Sequence, residues 1–166
     1  VRTYGVVLER GGGVVYDVLG LVSNSARVLG SMDAAHWQEQ LAHRQGDLVI
    51  VFLGANEADW TAATQKAMVD YQVLFEELLR RIRAARPEAA CLVMSPLDAA
   101  SDKGGALATK PTIPMLVAAQ HAAAAARGCA FWDSFVWMGG KGSAIRWRRK
   151  GLVSGDFVHP TRAGAA

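Results

Sequence analysis

The segment Leu48-Val49-Ile50-Val51-Phe52-Leu53-Gly54-Ala55-Asn56-Glu57 decides how this 166-residue chain folds. Residues 48–53 are apolar without alternation, which reads as a strand buried on both faces of a parallel sheet. Gly54 lets the chain turn sharply after that strand. Asn56 then stands at the strand's end, where a carboxamide can either aim its NH2 into a cleft or cap the next turn.

Working outward, residues 61–86 place Met68, Tyr71, Phe75, Leu78, Ile82 and Ala85 at spacings of three and four, one stripe of a long helix that Pro87 stops. Residues 91–94 read as a second buried strand and 97–110 as a polar, glycine-containing loop. Thr112-Ile113-Pro114 opens a helix running to Arg127 with Gly128 as its stop, and residues 129–132 form the last strand. Upstream, residues 32–45 predict a helix with Asp33 near its start, preceded by a loop running into a helical turn over 23–30. Residues 3–10 and 14–19 read as strands joined at Gly11-Gly12-Gly13. Residues 133–154 read as one long loop. The alternation argues an α/β fold, a parallel sheet with helices on both faces, whose ligands sit beyond the carboxyl ends of the strands.

Composition agrees. Hydrophobic residues make up 51% and charged residues 20%, with mean hydropathy +0.13, enough for the core of one globular domain and unlike disordered or fibrous chains. No apolar run is long enough to span a bilayer, and no basic-then-apolar leader opens the chain. The net charge of +3 is concentrated at Lys141, Arg146, Arg148, Arg149 and Lys150. Only Trp147 interleaves with that cluster, which argues against nucleic-acid binding and leaves two readings, a solvated loop or, with Trp137 or Trp147, a surface that receives an anionic ligand. Cys91 and Cys129 each open an apolar strand, which suits free core thiols better than a disulfide or a metal site. The triple glycine matches neither a dinucleotide fingerprint nor a P-loop, and nothing implies a cofactor or metal.

Ser154-Gly155-Asp156-Phe157-Val158-His159-Pro160-Thr161 places a carboxylate three residues before an imidazole, on a loop entering a helix that starts at Pro160 or Thr161. Such a carboxylate can reach Nδ1 and leave Nε2 to accept a proton, the arrangement a serine nucleophile needs. The plain alternative is an exposed turn followed by a helix N-terminus.

Gly54-Ala55-Asn56-Glu57 and Asp156-Phe157-Val158-His159 together resemble the third and last motif blocks, G-x-N-D and D-x-x-H, of the SGNH (GDSL-like) esterase and lipase superfamily. The resemblance implies a three-layer α/β/α sandwich, flavodoxin-like, and a Ser-His-Asp esterase without cofactor. In that reading His159 is the base, Asp156 its orienting carboxylate, and Asn56 with the backbone N–H at Ser23 the oxyanion hole. Gly54, Trp137 and Trp147 are candidates for the substrate cleft. Three departures stand out. Ser23 occupies the position of the second-block glycine, Glu57 replaces the Asp that follows the Asn, and no G-D-S occurs in the chain.

The resemblance therefore leads us to expect a domain incomplete at its N-terminus. Residues 1–13 would be the end of an inserted or preceding β segment, and 14–166 the later part of the catalytic domain. An upstream part of the same protein would supply the Ser and a central strand, and the isolated piece would be poorly soluble or unfolded. The expected substrate is a small-molecule or glycan ester carrying acetyl or another short acyl group. The alternative class is a binding module that kept this fold and lost its nucleophile. An exported or periplasmic location is implied by the resemblance alone.

Overall fold

The computed structural model describes residues 11–102 and 104–166. The strand expected over 3–10 lies outside them. Residues 14–19, expected as a strand, are not one: residues 14–22 pair with no strand among the described residues and run exposed and irregular.

The chain enters regular structure with α1 (Ala26–Ser31), capped by the Ser25 hydroxyl, and α2 (Ala34–Arg44), capped by Asp33. Strand β1 (Leu48–Phe52) follows, then the single turn α3 (Glu57–Trp60) and the long α4 (Gln65–Ala85). The apolar stripe read along α4 is buried in full, from Met68 to Ala85. Strand β2 (Ala90–Met94) pairs in parallel with β1, and β5 (Ala130–Trp132) pairs in parallel with β2, giving the order β1-β2-β5.

Between β2 and β5 lies α5 (Thr112–Ala126), whose alanines let it lie close against α4. The stretch 97–110, expected as a loop, contains an antiparallel pair, β3 (Ala100–Asp102) and β4 (Leu107–Thr109). Its turn is held by the Asp102 carboxylate accepting from the Gly105 amide at 2.8 Å, a local bond that hydropathy does not reveal.

Residues 133–154 are likewise not one loop. They form α6 (Ser134–Met138) and α7 (Ser143–Arg149), and α8 (Arg162–Ala165) closes the description. Both new helices are short and depend on side-chain caps. Asp133 Oδ1 accepts from Val136 N, and the buried Asp98 Oδ2 accepts from Ala144 N at 2.9 Å. A cap supplied from 46 residues away cannot be read from local pattern.

Two further expectations are corrected. Cys91 and Cys129 are not free thiols but a disulfide, with Cα atoms 4.7 Å apart. The parallel register sets Leu92 opposite Ala130, so the residues just before them stand side by side on neighbouring strands. Nor is β1 buried on both faces. Val51 and Val93 pack under the helices, whereas Leu48, Ile50, Phe52 and Trp132, on the other face, remain 45 to 53% exposed. Crossovers β1–α4–β2 and β2–α5–β5 step across the sheet in one direction, so their shared right hand puts both helices on one side. The expected parallel α/β fold is present, and its second helical layer is not among the described residues.

Candidate active site

The turn that leaves β1 carries Asn56 and Glu57, Ser23 precedes α1, and Asp156 and His159 lie on the loop between α7 and α8. After β1, Gly54 takes φ +119°, and a Cβ there would lie 2.9 Å from the Pro96 ring. The position therefore requires glycine for both conformation and space. Gly54 is buried, so it bends the chain and does not line an open cleft.

The bend presents Asn56 and Glu57. Asn56 Nδ2 donates to the Asn24 carbonyl at 2.7 Å, which uses one of its two amide protons. Asn24 follows Ser23, and Ser23 sits at φ +59° in the left-handed region. That conformation explains why a glycine suits this position and why a serine there carries a small strain. The Ser23 N–H donates to no acceptor among the described residues. The oxyanion candidates Asn56 and Ser23 are thus brought together through one hydrogen bond.

Glu57 accounts for that proximity. It is 4% exposed, and its carboxylate accepts from Gly54 N at 3.0 Å and from Ala26 N at 2.8 Å. One buried anion fastens the Ser23–Asn24 turn to the end of β1. Behind it, the buried Gln120 amide donates to Leu53 O and to Tyr71 Oη, and burial, reinforced by the Glu57 charge, pushes the Tyr71 phenol far up. Sequence reading treated Glu57 only as a substitute for an aspartate. The signal that could have found it is an acidic side chain at the first position of a helix directly after a buried strand and its glycine.

On the last loop, His159 Nδ1 lies 2.7 Å from Asp156 Oδ2. The other Asp156 oxygen accepts from the Ser154 hydroxyl and from the amides of Val158 and His159. These bonds, the Ser154 hydroxyl first and His159 next, hold the Asp156 carboxyl far below the usual carboxylate range. These contacts favour the ionised carboxylate, and they hold the imidazole ring through Nδ1, leaving Nε2 without a partner among the described residues. The His159 side chain is largely exposed.

The loop is tied to the rest of the fold at two points. Phe157 O accepts from Ala100 N, in the segment that leaves β2, and Val158 packs against the main core. Trp137 and Trp147, on α6 and α7, meet edge to face with ring centroids 5.8 Å apart. Trp147 shares a small apolar cluster with Phe157, one residue from Asp156.

The described residues thus combine a parallel α/β sheet, a histidine held by a carboxylate and a carboxamide past the end of β1. The chain belongs to the GDSL-like lipase/acylhydrolase family, whose profile matches residues 2–166. Among solved structures it is similar to a peptidoglycan O-acetylesterase, at 25% identity and a TM-score of 0.70, over 78% of this chain and 37% of that one. It is similar in fold to the acetylxylan esterase Axe2 of Geobacillus stearothermophilus, at 19% identity and a TM-score of 0.55, over 86% of this chain and 63% of that one. LAE5, an α/β hydrolase from the metagenome of Lake Arreo, Spain, matches at 19% identity and a TM-score of 0.54, with the same coverage of 86% and 63%. The chain therefore spans less than two thirds of the length of these relatives. No curated protein matches it.

Proposed function

We propose that this chain forms the proton-accepting and oxyanion-holding part of an SGNH-type serine esterase that removes acetyl or another short acyl group from a carbohydrate. The observation that carries the reading is the Asp156–His159 pair, with Nδ1 engaged and Nε2 free. Family membership supplies the reaction class, and the acetylesterase activities named for the relatives supply the acyl group and the glycan alcohol.

In this reading the nucleophilic Ser is supplied by residues preceding Val1. Two features support that position. None of the serines present stands in a G-D-S turn, and Ser154 is occupied by its bond to Asp156. The outer edge of β1 also pairs with no strand among the described residues, so a further parallel strand added there would end beside Asn56.

The Ser Oγ attacks the ester carbonyl as its proton passes to His159 Nε2, and Asp156 stabilises the imidazolium. The carbonyl oxygen takes up the negative charge facing Asn56 Nδ2 and the Ser23 N–H, each such donor being worth about 3 kcal/mol of barrier. His159 returns the proton to the leaving alcohol. Water then cleaves the acyl-enzyme with His159 again as base.

The protein carrying its upstream residues should hydrolyse p-nitrophenyl acetate. His159→Ala should abolish this, and Asp156→Asn should lower kcat by up to about 10⁴-fold by leaving the wrong tautomer unopposed. Turnover unaffected by His159→Ala would remove the assignment. A full-length protein inert to esters and to fluorophosphonate would point to a binding module instead.

A further inference from the structure

Charge is segregated along this chain. Residues 134–166 hold six of its eighteen basic residues and only one of its fifteen acidic ones, Asp156, so the remainder of the chain is net acidic by two despite the overall +3. The structure concentrates this charge further. α7 places Arg148 and Arg149 on its exposed side, Lys150 caps its end, and Lys141 stands exposed just before it. None of these four has a carboxylate within salt-bridge distance among the described residues. Arg146 is different, since its guanidinium is spent on the Gly139 and Lys141 carbonyls, where it holds the α6–α7 turn in shape.

The same two helices carry an aromatic surface. Trp137 is 60% exposed and stands edge to face against Trp147, which is anchored in the apolar cluster that also holds Phe157 of the Asp156–His159 loop. An indole face takes the apolar side of a sugar ring. Planar guanidinium groups take carboxylates in bidentate fashion.

We propose that the α6–α7 face binds an acidic polysaccharide, a glycan carrying carboxylates, and presents its acyl groups to the neighbouring His159 loop. The proposal rests on the esterase reading for what happens to the bound glycan, but not for the binding itself. A nucleic acid is the less favoured occupant. Phosphate-backbone binding draws on many cations spread along a face, and here they sit on one short helix with a single exposed indole.

The test measures binding of an oligogalacturonate, and of the same oligomer reduced at its carboxyls to a neutral sugar, by calorimetry on the full-length protein. The acidic oligomer should bind at least roughly ten-fold tighter at about 50 mM salt, a preference that shrinks at about 0.5 M as the charges are screened. Arg148→Ala/Arg149→Ala should remove most of that preference, and Trp137→Ala should weaken both oligomers alike. Neither variant should shift the melting temperature, because all three side chains are exposed. His159→Ala should bind as the wild type does, which separates this surface from the catalytic reading. Equal affinity for the charged and neutral oligomers, or a preference unchanged in the arginine variant, would overturn the proposal. Tighter binding of single-stranded DNA than of the uronate would overturn it in favour of a nucleic acid.

Discussion

Glu57 joins two backbone amides from different parts of the chain, and its burial makes that junction costly to lose. Glu57→Gln keeps the size of the side chain but turns one acceptor into an N–H group facing a backbone N–H at Gly54 or Ala26. The orphaned amide should cost about 1–3 kcal/mol of stability, read from urea unfolding. On the esterase reading it should also lower kcat more than it raises KM, since Asn56 and Ser23 would lose their fixed separation. A variant as stable as wild type would show that the two bonds contribute nothing. The Asp156–His159 contact was legible from spacing alone, because three residues of loop suffice to bring Oδ2 to Nδ1. Glu57's contact was not, because its second partner lies 31 residues away.

Elements divide by what stabilises them. The α4 stripe recurs through twenty-one residues, and each apolar position meets the core once the helix forms. Phe75 is fully buried at its centre, so Phe75→Ala should cost about 3–5 kcal/mol in urea unfolding, and a loss below about 1 kcal/mol would show that the stripe does not carry the helix. The turns and short helices behave differently. α6 and α7, of five and seven residues, are too short to be helical on propensity alone and exist through Asp133, Asp98 and the glycines at their ends. That is why residues 133–154 read as a loop and folded otherwise. The hairpin of β3 and β4 was missed for the same reason, its strands being three residues each.

For the whole molecule, the disulfide is the main covalent constraint. It closes a span of 38 residues that runs from β2 through β3, β4 and α5 to the residue before β5. In the chain-entropy account a loop of that size contributes about 3–4 kcal/mol. Unfolding in urea with and without a thiol reductant should differ by roughly that amount, and identical midpoints would show the bond to be thermodynamically idle. The sequence by itself determined the alternation β1–α4–β2–α5–β5, the buried stripe of α4, the turn at Gly54 and the Asp156–His159 pair. Each of these rests on contacts within a few residues or on a repeat that any core-facing element must show. Only the tertiary structure decided that Cys91 meets Cys129, that Glu57 clamps the Ser23 turn, and that one face of the sheet stays open at Leu48, Ile50 and Phe52. Those features depend on strand register and crossover hand, which relate residues far apart in the chain and leave no local pattern behind.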